Sequence, residues 1–209
     1  MNESEITPRR VKIGAEERGG WSSERPQGDG QRARVREHAH VLSAAAELRY
    51  SPRSLIVVSA ADAAARTKLL ARTLPPGVII SRARICVMLN GRVEADQIEA
   101  VATQLFEDTL RKRLVDARPA VVESETLTSD ERLRLVEIAD MAKRSAHLIV
   151  LDIGRQALGD DEVFYQLQSV VATARSGEIG REGFRTSLVL GRSDIEALRV
   201  IEFVLPRAR

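Results

Sequence analysis

The sequence predicts an α/β fold: a mostly parallel, five-stranded sheet with helices on both faces, preceded by a disordered N-terminal tail. Three observations predict it. From residue 54 onward, short apolar runs alternate five times with stretches of helical period, the pattern of strand–helix–strand units. The strand candidates are continuously apolar, as in 54–59 (SLIVVS) and 147–153 (HLIVLDI), which fits strands buried on both faces. Apolar residues are sparse before Val41, and five of the thirteen glycines fall between Gly14 and Gly30. Such a stretch cannot bury enough surface to offset the entropy of ordering it.

Residues 1–30 are therefore expected to be a disordered tail. Residues 31–50 are expected to be a helical linker, because Val35, His38, Val41, Leu42, Ala45 and Leu48 recur at three and four. His38 and His40, two apart, would point to different faces of that helix and make a poor metal pair. Residues 51–209 form the α/β domain. Its first strand is 54–59. The alanine-rich 60–74 follows as a helix and ends at Pro75-Pro76-Gly77. A second strand spans 78–81, and a short helix or turn, 83–89, closes at Asn90-Gly91. The long helix 94–117 places Ile98, Val101, Ala102, Leu105, Thr109 and Leu110 on one face. A third strand is 120–123. Helix 129–144 opens with Ser129-Asp130-Glu131-Arg132 and turns Leu133, Val136, Ile138 and Ala139 inward. The fourth strand is 147–153. Helix 160–175 buries Val163, Phe164, Leu167, Val170 and Val171. A fifth strand, 187–190, a short helix, 193–198, and an extended piece, 200–206, complete the chain. No internal repeat of fixed period is present.

Composition excludes several classes. Of 209 residues, 44% are apolar and 30% charged, a balance that fits a globular core. No apolar run approaches the roughly 20 residues of a membrane span, and the first residues lack a secretory apolar stretch. The expectation is a cytoplasmic protein that does not engage a membrane. One cysteine, Cys86, rules out an internal disulfide; it lies in an apolar stretch and reads as core. Three histidines and one cysteine make a Cys/His zinc site a poor expectation. Of 32 basic residues, 28 are arginine. Arginine suits phosphate, but a net charge of +2 gives no broad field for nucleic acid. With 3% aromatics there is no base-stacking platform. Residues 1–40 hold eight basic and seven acidic residues, so the tail is not a basic arm.

Ligands of parallel sheets sit at the carboxyl ends of the strands, so the first strand-to-helix turn is the first candidate for a site. A phosphate-binding loop would read G-x-x-x-x-G-K-[ST] there. The chain reads Ala60-Ala61-Asp62-Ala63-Ala64-Ala65-Arg66-Thr67. Two further segments follow in order: Val78-Ile79-Ile80-Ser81-Arg82-Ala83-Arg84 and Val121-Val122-Glu123-Ser124-Glu125-Thr126-Leu127-Thr128. Together these resemble the P-loop kinases of the polynucleotide-kinase type, grouped with the AAA-like ATP-binding proteins. The resemblance covers about half the chain, from Ser54 to Ile153. It implies a P-loop NTPase fold, ATP and Mg²⁺ as cofactors, and phosphoryl transfer to a hydroxyl.

The departures lie at the chemistry. The family's loop glycines map to Ala60, Ala63 and Ala65, and its lysine to Arg66. Thr67 keeps the hydroxyl that would touch Mg²⁺, and Lys68 follows. The aspartate that serves the family as base maps to Ala83. Glu123 keeps a carboxylate and is the candidate base in a weakened enzyme, and the family's later asparagine is Thr126. Arg175, Arg181 and Arg185, among Gly177, Gly180 and Gly183, stand where the resemblance implies a basic lid. Asp152 ends the fourth strand as a polar terminus.

These changes are costly. Alanine in the left-handed conformation costs roughly 1–2 kcal/mol, so two or three such positions cost roughly 3 kcal/mol, about a hundredfold in affinity. Losing a placed base removes roughly 10²–10⁴ in rate. Ser59-Ala60-Ala61-Asp62 also fits a capping box, which would start the helix early and put the Asp62 carboxylate where a β-phosphate would lie. The expectation is a degenerate, pseudo-kinase domain that has lost ATP chemistry, needs no cofactor and serves as a binding or scaffold module for a protein or nucleic-acid partner. The alternatives are a weak ATP-dependent kinase acting on a 5′-hydroxyl of nucleic acid or a small hydroxyl substrate, and a nucleic-acid-associated factor.

Overall fold

A computed structural model describes residues 37–124, 128–154 and 160–205. In chain order the strands are β1 (His40–Val41), β2 (Glu47–Tyr50), β3 (Leu55–Ser59), β4 (Ile79–Ile80), β5 (Ala120–Ser124), β6 (Ala146–Asp152), β7 (Thr186–Gly191) and β8 (Val200–Phe203). The α-helices are α1 (Ala63–Thr73), α2 (Arg82–Leu89), α3 (Ile98–Val115), α4 (Ser129–Met141), α5 (Asp161–Ser176) and α6 (Arg192–Ala197). Two single 3₁₀ segments, Pro76–Val78 and Glu178–Glu182, join them.

Six strands form one parallel sheet in the order β1-β7-β6-β3-β5-β4. β3 lies inside it, paired with β5 and β6 along all five of its residues. The chain leaves β3 toward β4 and β5, then crosses back to β6 and β7 on the other side. Neighbouring connections that part in this way open a crevice at the carboxyl end of the strand between them.

The sheet alternates its side chains between two cores. Leu55 and Val57 point to a face covered by α3, α4 and α5, through Phe106, Leu110, Leu135, Ile138, Leu167 and Val171. Ile56 and Val58 point to the opposite face, where α1 supplies Leu69 and Leu70. Both faces are apolar, so the strands read as unbroken apolar runs. On the long helices the inward stripe differs from the expected one. α3 buries Ala102, Phe106, Leu110 and Leu114 and leaves Leu105 43% exposed, while α4 buries Arg132, Leu135, Ile138 and Ala139 and exposes Leu133.

The largest correction falls on the helical linker. Over its described part, 37–50, that segment is extended, and the sheet has six strands because β1 joins it as an edge. β2 pairs in parallel with β8 in a separate two-stranded sheet. In β2, Leu48 and Tyr50 are buried while Glu47 and Arg49 are exposed, a period of two. Leu48, Tyr50 and Ile201 complete the core over Ile56, Ile149 and Leu188. Pairing with β8 and this burial outweigh the helix propensity of residues 44–46. The disordered tail expected at 1–30 lies outside the described residues. Among the described residues no helix is long and apolar enough to cross a membrane.

Candidate functional site

The carboxyl end of β3, flanked by β5 and β6, lies at the crevice. The turn after β3 is short: Ala60 is fully buried, and α1 already begins at Ala63. Its cap is Asp62. The backbone of Asp62 is extended (φ −88°, ψ 108°), and its Oδ1 accepts from the N–H groups of Ala64 (2.8 Å) and Ala65 (3.1 Å). This corrects the capping box expected at Ser59, which lies within β3 and is buried. The acid is itself the cap, three residues after Ser59, so the helix starts later than the expected box would place it. An aspartate on the first N–H groups satisfies donors that a helix otherwise offers to an anion.

Arg66 turns the other way from a phosphate-binding lysine. It is 2% exposed. Its Nη1 donates to the carbonyl of Ala60 (2.7 Å) and to that of Ser124 (3.2 Å), tying the end of β3 to the end of β5. Its Nε lies 3.8 Å from Glu123 Oε2, and Arg84 Nε lies 3.6 Å from Glu123 Oε1. Glu123 thus stands on β5 between two guanidiniums, with its side chain 6% exposed. A carboxylate so held fixes α1 and α2 to the sheet.

The helix repeat explains the inward turn. The buried residues of α1 are Arg66, Leu69, Leu70 and Thr73, spaced at i, i+3, i+4 and i+7 on one face. That spacing is in the sequence and is the signal that singles out Arg66 as an inward group. Thr67 and Lys68 fall off the stripe and are exposed, as are Ala63 and, on the first turn of α2, Ala83. Ala65 is half-buried. Thr126 falls on residues that the structure does not describe.

The remaining candidates are dispersed. Arg175 donates to Asp152 Oδ2 (3.2 Å) and Gln168 Nε2 to Asp152 Oδ1 (3.3 Å), so Asp152 anchors α5 to the end of β6. The glycine-rich segment expected as a lid lies at the amino-terminal end of the strands, before β7. There Ile179 and Phe184 are fully buried, and Arg185 donates to Ser145 Oγ at the start of β6 (3.3 Å). Arg181 is exposed on the Glu178–Glu182 turn. That turn is clamped by Arg132, which binds Glu182 through two bonds of 2.8 and 2.7 Å. It is a packed piece of the fold, unable to close over the turn after β3. Residues 155–159 lie outside the described residues. Cys86 is half-exposed on α2, a helix with no buried residue, and its Sγ lies 3.6 Å from Glu99 Oε1. It is not a core residue. Partial desolvation and the Glu99 carboxylate raise its thiol pKa.

Beside the crevice, a cleft of about 330 Å³ opens among α2, α3 and α4. Phe106, Leu135 and Ile138 form its apolar part, with Arg82, Glu107 and Arg134 around them. Arg134 grips Glu107 through two bonds of 2.9 and 2.8 Å, and this guanidinium holds the Glu107 pKa below the usual carboxylate range. Among the described residues there is no group of three or more His, Cys, Asp or Glu able to hold a metal.

The chain matches no protein-family model and no curated protein. Among solved structures, it is similar to a candidate kinase from Chloroflexus aurantiacus J-10-fl, with 16% identity over 68% of this chain and 85% of that one, and a TM-score of 0.41. It is also similar to the tunicamycin resistance protein of Deinococcus radiodurans, with 17% identity over 67% of this chain and 86% of that one, and a TM-score of 0.40.

Proposed function

We propose that this chain is a kinase-like domain without a working triphosphate cradle, which acts as a binding module. The observation that carries this is the use of Arg66 and Asp62. The cation that would meet phosphate is buried on the carbonyls of Ala60 and Ser124, and the N–H groups of Ala64 and Ala65 are taken by the Asp62 carboxylate. Opening the site would break both sets of bonds. The loss would fall on nucleotide affinity first, and the replacement of the family's base by Ala83 would then fall on the chemical step. The cleft among α2, α3 and α4 is a concave surface open to a partner group.

Thermal unfolding of the full chain with Mg·ATP tests this. A ligand at a hundred times its dissociation constant adds roughly 2.7 kcal/mol, which unfolding readily detects. The expected result is no shift at millimolar Mg·ATP. A saturable shift, or turnover of ATP to ADP with a hydroxyl acceptor, would overturn the proposal in favour of a weak kinase using Thr67, Lys68 and Glu123. The variant carrying Ala60→Gly, Ala63→Gly, Ala65→Gly, Arg66→Lys and Ala83→Asp is expected to gain nucleotide binding, with circular dichroism as the check that it folds.

A further inference from the structure

β1 is held to the body by its backbone. The N–H of Ala39 donates to Gly177 O (2.6 Å), that of His40 to Arg185 O (3.0 Å) and that of Leu42 to Ser187 O (2.8 Å). The side chains of His40 and Val41 are exposed, while the arm buries Ala39 and half-buries Leu42 against the core on the α1 face of the sheet. The surface that receives it is shaped for a main chain. A Cβ at Gly177 would stand 2.7 Å from Ala39 O, and one at Gly180 would stand 2.3 Å from Ala39 N. Gly177 also needs glycine for its φ of +78°. Gly180 has no such need, so its missing side chain is accounted for by the close approach of the arm. Residues 43–46 join β1 to β2 without regular structure, and 43–45 are exposed.

We propose that the β7 edge and the cradle at Gly177 and Gly180 form a docking surface between copies of this chain, its occupant being the arm of a second copy, residues 38–42. Two features favour that occupant. Recognition rests on backbone groups, a small residue over the cradle and an apolar side chain three positions on, which Ala39 and Leu42 supply here. An exchanged arm also regains every bond of the closed form, so only the linker conformation and the entropy of association separate the two states. Reciprocal exchange closes as a two-fold dimer and leaves neither β7 edge open. The exposed linker at 43–45 is where the chain would change direction.

The register supplies the test. His40 lies beside Thr186. Two full-length chains are prepared in a Cys86→Ser background, one with His40→Cys and the other with Thr186→Cys. They are mixed over a range of concentrations and oxidised with diamide. A disulfide-linked heterodimer, rising with the product of the two concentrations, is expected. A single chain carrying both substitutions is the geometric control and should close internally when dilute. If the control closes but no heterodimer forms at any concentration, exchange does not occur. If neither bond forms, the arm is not seated on β7 and the proposal fails as well. Gly180→Ala, which suits the backbone there but fills the cradle, is expected to abolish the heterodimer while the circular dichroism of the body is retained. An undiminished heterodimer in that variant would also overturn the proposal.

Discussion

Replacing Arg66 by methionine distinguishes a structural guanidinium from a phosphate-binding one. Methionine keeps the apolar stem on the core stripe of α1 but removes the donors. The carbonyls of Ala60 and Ser124 lose their bonds to Nη1, and Glu123 loses one of its two cationic partners. Each buried carbonyl left unsatisfied costs about 1–3 kcal/mol. Removing one partner of a buried ion pair costs about 3–5 kcal/mol. Arg84, half in solvent, still faces Glu123, so these effects overlap, and a total of about 3–5 kcal/mol is expected. Equilibrium unfolding in urea at neutral pH measures it as a shift in midpoint at constant slope. Arg66→Lys is expected to recover only part of the loss, because an ammonium lacks the planar fork that spans two strand ends. A group that waited in solvent for phosphate would behave in the opposite way, with stability unchanged within about 0.5 kcal/mol and nucleotide affinity lost. A change that small in Arg66→Met would refute the inward assignment and the functional proposal built on it.

Three further outcomes follow from other parts of the fold. His147 is buried between β6 and the Tyr50 ring, 5.0 Å away, with Nδ1 on Thr186 Oγ1 at 2.8 Å; desolvation, with a smaller contribution from Arg185, lowers its pKa to about 3. The unfolded chain therefore binds the extra proton first, and stability from the neutral ring is present above about pH 6.5 and is lost as pH falls toward 3, at up to about 1.4 kcal/mol per pH unit; the difference in pH dependence between wild type and His147→Phe, followed by urea unfolding, should show this slope, and equal slopes would count against it. Ala117 and Lys143 hold φ of +57° and +56° just past α3 and α4, so Ala117→Gly and Lys143→Gly are each expected to raise stability by about 0.5–1 kcal/mol in thermal unfolding, whereas a loss would show the left-handed turns to be wrongly placed. Asp62→Ala removes the cap of α1 and should cost about 1 kcal/mol without conferring ATP binding, since Arg66 remains folded inward; appearance of ATP binding in that variant alone would assign the whole block to the aspartate.

The alternation of strands and helices was open to view in the sequence, because a strand buried on both faces must be apolar throughout and its crossover helix must be apolar on one side. Where only one of two periods could win, the sequence left the choice to packing. Residues 31–50 offered spacings of three and four, yet Leu48 and Tyr50 carry the period of two that burial over Ile56 and Ile149 selects. That choice depends on β8, about 150 residues later in the chain, which supplies the partner strand.

The candidate site divides in the same way. That alanines and an arginine stand where a phosphate-binding loop would carry glycines and a lysine could be read directly, and so could an acid at the start of α1. Which residue capped the helix could not, because Ser59 and Asp62 are both able caps and the sheet had already taken Ser59. Nor could the sequence give the clamp of Arg66 and Arg84 on Glu123, or the placing of Arg181 and Arg185 at the amino-terminal end of the strands. Residue order fixes what each element is made of and which faces it must bury. Direction and neighbourhood at the crevice come from strands brought side by side from distant parts of the chain, and only the folded sheet sets a carbonyl of β5 against a guanidinium of α1.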